Sequence, residues 1–166
     1  MRILGLDPGS SATGYGIVES HAGRLRAVVQ GTISPPRGRS FLSRLPYIAD
    51  ALDELLRQHQ PDVAAIEDLF VARDSRAALK LGQARGAAVV PLLRSGLEIH
   101  EYAARLVKKN VVGYGGADKE QVRRMVRILL GLGTEAISLD ASDALAVAIC
   151  HANMAAFRKL GTAARA

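Results

Sequence analysis

Two short apolar runs, each closed by a carboxylate, limit what this chain can become. Val63-Ala64-Ala65-Ile66 stands between Pro61 and Glu67, and Ile3-Leu4-Gly5-Leu6 runs directly into Asp7. An uninterrupted apolar run of this length is the pattern of a central strand buried on both faces. A sheet containing such strands needs helices packed on both of its sides.

The rest of the chain supplies them. Arg2 to Leu6 is the first strand, and Asp7-Pro8-Gly9-Ser10-Ser11 has turn chemistry. Gly14 to Ser20 and Leu25 to Ile33 follow as strands joined around His21-Ala22-Gly23, which makes an antiparallel meander. Beyond the Pro35-Pro36 loop, Leu42, Leu45, Ile48, Ala49, Leu52, Leu55 and Leu56 recur at helical spacing. Val63 to Ile66 is the fourth strand. Asp74 to Ser95 is a second helix, with Ala78, Gly82 and Gly86 on one small-residue strip and Pro91 expected to kink or shorten it. Leu97 to Tyr102 is the fifth strand. A short helix over Ala103 to Val111, a flexible loop through Gly113-Tyr114-Gly115-Gly116, a helix capped by Asp118 and a last helix opened by Asp140 complete the chain. This order predicts an α/β domain: a mixed five-stranded sheet, its first three strands antiparallel, with helices on both faces. One domain is expected over residues 1–158, with residues 159–166 as a frayed tail.

At 166 residues and 49% hydrophobic content the chain has the material for one self-sufficient core. Cys150 is its single cysteine, so no internal disulfide is possible and a reducing, cytoplasmic setting is expected. The longest apolar uncharged run, between Arg85 and Arg94, falls far short of the ~20 residues that cross a bilayer, and Asp7 comes too early for a signal-peptide core. The net charge of +6 is unevenly placed. Residues 1–72 carry 7 basic and 8 acidic groups, residues 73–127 carry 12 and 5, and residues 128–166 carry 3 and 3. The whole excess sits in the middle third, and Arg outnumbers Lys 17 to 5. Such a localised field suits a polyanion such as nucleic acid; ordinary surface charge is the competing explanation.

Four carboxylates are placed to meet. Asp7 follows the first strand and Glu67 ends the fourth, so adjacent strands would bring both to one edge of the sheet, where sites in such folds form. Asp140 and Asp143 stand three apart at a helix start and share a face. Taken singly, Asp7 could shape a turn, Asp140 an N-cap, and Asp143 complement a helix dipole. Converging, they would repel one another and any phosphate unless a divalent cation joined them. Oxygen donors without a Cys or His cluster point to Mg²⁺ or Mn²⁺; two ions ~3.5–4 Å apart would suit in-line phosphodiester cleavage by water. His21, His59, His100 and His151 are scattered along the chain with no metal-ligand spacing, and Cys150 reads as a buried apolar residue.

Ile3-Leu4-Gly5-Leu6-Asp7-Pro8-Gly9 with Thr13-Gly14-Tyr15-Gly16, Ala65-Ile66-Glu67-Asp68-Leu69-Phe70, and Asp140-Ala141-Ser142-Asp143-Ala144-Leu145-Ala146 resemble the RuvC family of bacterial Holliday junction resolvases, in the ribonuclease H-like superfamily. The strings Leu81-Gly82-Gln83-Ala84-Arg85-Gly86 and Glu101-Tyr102-Ala103-Ala104-Arg105 are the most specific carriers of the resemblance. It implies a ribonuclease H-like fold and a metal-dependent endonuclease that nicks two opposing strands of a Holliday junction symmetrically, in homologous recombination and DNA repair. By position it implies Asp7, Glu67, Asp140 and Asp143 as the catalytic, metal-binding set, Lys108 and Lys119 as junction-contacting cations, and Phe70 as an aromatic at the crossover. It further implies a homodimer, matched to the two-fold symmetry of a four-way junction, and work with the RuvA and RuvB branch-migration proteins in the cytoplasm at the nucleoid.

The residues themselves extend the expected DNA groove. Lys108, Lys109 and Lys119 flank the Gly113 to Gly116 loop, and Arg123 and Arg127 continue the outer face of the helix that Lys119 begins. The competing picture is a solvated face on which Glu120 pairs with Arg124, with Phe70 a core residue after a buried strand. Gly82 and Gly86 suit packing within one subunit, a dimer contact or close DNA approach. Three other functions share parts of this pattern: a phosphate-turn ATPase, which needs two such lobes, a non-catalytic DNA-binding module, and a nuclease for RNA–DNA hybrids.

Overall fold

The structure is a computed structural model that describes residues 1–36, 38, 40–68, 74–133 and 136–163, with side chains as far as Arg158 at the C-terminal end. Phe70 lies outside the described residues. The elements are β1 (Arg2–Pro8), β2 (Thr13–His21), β3 (Arg24–Ile33), α1 (Arg44–His59), β4 (Val63–Glu67), α2 (Ser75–Arg94), β5 (Ile99–Tyr102), α3 (Ala104–Val112), α4 (Lys119–Leu129) and α5 (Leu139–Ala163). The sheet order is β3-β2-β1-β4-β5. The β1–β2 and β2–β3 pairs are antiparallel, and β1–β4 and β4–β5 are parallel. The mixed five-stranded sheet expected from the sequence is the one observed, with helices on both faces.

Alternation along the strands divides the core in two. Leu4, Leu6, Ala64 and Ile66 pack with Ile48 and Leu52 of α1 and with Ala84, Ala88 and Leu92 of α2. Ile3, Val63 and Ala65 pack on the opposite face, with Val107 of α3, Val126 of α4 and the apolar run of α5. Because side chains alternate along a strand, Asp7 and Glu67 fall on the same side as Ile3 and Val63, facing α3, α4 and α5.

α5 lies unusually close to this face because glycine lines it. A Cβ at Gly5 would overlap the Ala144 carbonyl oxygen, one at Gly14 would overlap the Asp140 carbonyl, and one at Gly16 would press into the Leu145 side chain. The helix therefore rests main chain against sheet, with Ala141, Ala144, Ala148 and Ala152 buried along it. Ser138 holds its start: its hydroxyl accepts from the Ala141 N–H at 3.1 Å, and its carbonyl accepts from the Ser142 N–H at 3.0 Å. Asp140 is thus not the cap. It lies one residue inside the helix, with its side chain left for other work.

Two further details bear on sequence expectations. α2 continues through the buried Pro91 to Arg94, so proline does not end it; Ser95 still donates to the Pro91 carbonyl at 3.0 Å. Proline removes an N–H and crowds the turn before it, while its own carbonyl remains an acceptor. Asp118 caps α4 as expected, in a reciprocal box with Gln121. No helix among the described residues is long and apolar enough to cross a membrane.

Two of the scattered histidines, His100 and His151, meet in the fold. His151 is buried in α5, shares a 2.8 Å hydrogen bond between Nδ1 and the Tyr102 hydroxyl, and stacks its ring 4.5 Å from that of His100. Burial, helped by the charges of His100 and Arg158 and opposed by Glu98, pushes its pKa down to about 4.

Two measurements follow from this packing. Gly14→Ala drives a methyl group into the α5 main chain and lowers stability by at least about 2 kcal/mol in chemical denaturation, since overpacking against backbone cannot relax by rotamer change. An unchanged midpoint would show that α5 is not seated as described. His151 binds its proton more readily unfolded than folded, so its contribution is complete above pH 6.5, the ordinary value, and is lost as pH falls toward about 4. Denaturation curves across that window should fall more steeply for the parent than for His151→Gln; equal slopes would exclude this coupling.

Candidate active site

The carboxyl ends of β1 and β4 open into a cleft of about 180 Å³ lined by Asp7, Glu67, Ala104, Val107, Lys108, Lys119, Val122, Asp143 and Ala146. Each side chain arrives by a separate route. Parallel pairing with Leu6 opposite Ile66 sets Asp7 and Glu67 at neighbouring strand ends. The glycine-lined seat brings the first turns of α5, and with them Asp143, down over β1 and β2. α3 contributes Lys108 from above, and the first residue of α4 is Lys119.

Lys119 reaches into the carboxylates: its Nζ donates to Asp143 Oδ2 at 2.9 Å. That bond, with the charges of Asp143, Asp7 and Asp140, raises the Lys119 pKa. Burial and the charge of Asp143 push Asp7 up to about 6, against the pull of Lys119 and with a further push from Asp140. Glu67 is pushed up to about 7 by burial, then by Asp7 and Asp143, with Lys119 and Lys108 opposing. The carboxylates therefore hold their charge at a cost that burial and mutual repulsion set and that one ammonium only partly offsets.

Asp140 stands beside this cleft, packed over Gly14, and its charge is felt by both Asp7 and Lys119. Among the described residues, no three Asp, Glu, His or Cys side chains form a ligating group as they stand. The donor chemistry nevertheless fits a hard cation: crowded, partly dried carboxylates whose charges are destabilised by one another, with a lysine ammonium already among them. Asp7, Glu67, Asp140 and Asp143 are the residues that would hold it.

The other expected contacts divide. Lys108 and Lys119 are in the cleft, whereas Lys109 is exposed and does not line it. Arg123 and Arg127 line a different depression, with Arg124, Ile128 and Leu132. Arg123 is engaged by Glu120 at 2.6 Å, so Glu120 pairs one residue earlier than the Arg124 partnership expected from the sequence. Arg127 donates to the Gly133 carbonyl. The shared outer face expected for Lys119, Arg123 and Arg127 is thus split, because Lys119 turns toward Asp143.

Sequence reasoning also passed over a role for Arg85. Its guanidinium, 11% exposed, donates to the Glu67 carbonyl at 2.5 Å and pairs with Glu101 at 2.9 Å. The available signal was the joint specificity of the two strings that contain Arg85 and Glu101.

Comparison with known proteins places this geometry. The family model described as "Crossover junction endodeoxyribonuclease RuvC" matches residues 3–151. The RuvC of Maricaulis maris is 50% identical over 164 residues, covering 99% of this chain and 98% of that protein. The RuvC of Geobacter metallireducens is 50% identical over 160 residues, 96% and 97% of the two chains. A solved structure of Thermus thermophilus RuvC "in complex with Holliday junction substrate" superposes with a TM-score of 0.86 at 32% identity, covering 93% of this chain and 94% of that one. The match takes in β1, β4 and the start of α5 together, and with identity of this extent over nearly the whole length the chain belongs to the RuvC family of crossover junction endodeoxyribonucleases.

Proposed function

We propose that the cleft at the ends of β1 and β4 cuts four-way DNA junctions by symmetric nicking of two opposing strands, water attacking a phosphodiester in line. As a RuvC-family member the protein is a Holliday junction resolvase, and nucleases of this family are metal-dependent. The observation that carries the reading of the site is the convergence of Asp7, Glu67 and Asp143 with Lys108 and Lys119 in one cleft.

The chain's own residues divide the work. Asp7, Glu67, Asp140 and Asp143 would hold Mg²⁺, two ions per site with Mn²⁺ a workable substitute; the metal would supply Lewis-acid stabilisation of charge on the phosphate oxygens and a more acidic water. A cation held there would offset the mutual repulsion that, after burial, raises Asp7 and Glu67. Lys108 and Lys119 draw the phosphate backbone over an otherwise acidic floor, Lys119 while hydrogen-bonded to Asp143. Lys109, Arg123 and Arg127 meet the duplex arms farther out, and Phe70 meets bases at the crossover.

Two such sites are needed for paired cuts, and a homodimer with a two-fold axis provides them. α2 offers a surface for the second copy: Leu79, Val90 and Leu93 are 69%, 50% and 60% exposed on it, and Gly82 and Gly86 between them have open space. The junction is delivered by the RuvA and RuvB branch-migration proteins, in the cytoplasm at the nucleoid.

Asp7→Asn should slow magnesium-dependent nicking of a synthetic four-way junction by roughly 100-fold or more, the scale of losing one electrostatic contact at a reacting phosphate, while junction binding persists. Chelation of divalent metal should do the same to the parent. Full cleavage by the variant would remove Asp7 from the working set. Lys108→Ala should weaken junction binding and lower the slope of log affinity against log salt by about one, as expected for a single phosphate contact. An unchanged slope in a binding titration would place Lys108 off the DNA.

A further inference from the structure

β4 outlasts its pairing with β1 at the point where the site begins. Leu6 is the last β1 residue paired with β4, opposite Ile66. Ala64 and Asp68 turn their N–H groups the other way, to the Glu98 and Tyr102 carbonyls on the β5 side. Peptide groups alternate along a strand, so Glu67 turns its own N–H and C=O toward β1. Continuing the parallel register, the donor to that carbonyl would be residue 8. Residue 8 is proline and has no N–H. A carbonyl at the edge of the core is left without its ladder partner, and leaving such a group unpaired is costly.

Arg85 takes that place from outside the sheet. Its Nη1 donates to the Glu67 carbonyl at 2.5 Å, and its Nη2 lies 2.9 Å from the Glu101 carboxylate. Glu101 is on β5, paired in register with Ile66, so the arginine is braced from the strand next to the one it supports. The guanidinium's fixed fork serves a carbonyl and a carboxylate together, which a lysine ammonium does less well. The two most specific strings in the sequence thus meet in one contact behind Glu67.

We propose that Arg85 is a positioning residue for the active site: it replaces the ladder bond that Pro8 cannot make and, braced by Glu101, keeps the end of β4 where the Glu67 carboxylate faces Asp7 and Asp143. This rests on the reading of Glu67 as a working carboxylate. The role predicts a loss in the chemical step and not in DNA affinity, because Arg85 stands behind the strand and not in the cleft.

The test is single-turnover nicking of a four-way junction in magnesium, with junction Kd measured in EDTA and oligomeric state by sedimentation, for the parent, Arg85→Gln, Arg85→Lys and Glu101→Gln. A misplacement on the 1 Å scale lowers the rate by roughly 10- to 100-fold, so Arg85→Gln should be that much slower with Kd within twofold. Arg85→Lys, still able to donate to the carbonyl, should recover part of the rate, and Glu101→Gln should lose less than Arg85→Gln. Pro8→Ala, which gives residue 8 an N–H, should speed up Arg85→Gln. Should Arg85→Gln fail to fold, Arg85→Lys and Glu101→Gln decide: slower nicking at unchanged Kd supports the role. Nicking within twofold of the parent in every variant, or rates that fall only in step with junction affinity or dimer loss, would overturn it. A parent that does not cut junctions would instead sink the underlying reading of the site.

Discussion

The seat of α5 on the sheet is the constraint on which the site depends. Gly5, Gly14 and Gly16 present no side chain toward the helix, so its main chain comes into contact with β1 and β2. A Cβ at Gly5 or Gly14 would overlap the helix main chain and hold the helix off the sheet. With the helix down, Asp143 reaches the cleft that Asp7 and Glu67 line, and Asp140 lies over Gly14. The same contact dries the carboxylates, which is the leading cause of the raised Asp7 and Glu67 pKa values. Close packing and an electrostatic demand for a cation are therefore one feature seen twice.

The positive charge answers that demand unequally. The basic middle third of the chain folds into α2, α3 and α4 and does not form a single surface. Lys108 and Lys119 point into the cleft, where both lower the pKa of Glu67. Arg123 and Arg127 are tied to Glu120 and to the Gly133 carbonyl beside a separate depression on α4. A charge count finds the excess but cannot tell a cation drawn in among carboxylates from one held on the outer face of a helix.

α2 joins these themes by having two different faces. Ala84, Ala88 and Leu92 are fully buried against the sheet, and Arg85 reaches from the same helix to the end of β4. Leu79, Val90 and Leu93 remain exposed on the other side. One helix thus braces the end of β4 and also carries an exposed apolar strip, the surface proposed above for a second copy.

Much was legible in the sequence because it rests on local physics. The apolar runs ending at Asp7 and Glu67 determined two buried strands and left a carboxylate at each tip; the spacing of Asp140 and Asp143 put both on one helical face; Asp118 marked where α4 starts. Other matters needed the tertiary structure. That Ser138 and not Asp140 caps α5 depends on where the preceding loop arrives, and His100 and His151 are brought together only when β5 packs against α5. The partner of the Glu67 carbonyl is set by a register that ends on proline, and by a helix that crosses behind it. Periodicity and residue type act over a few positions, whereas the His100–His151 and Arg85–Glu67 contacts join groups on separate elements, and their geometry exists only once both halves of the core have closed on the sheet.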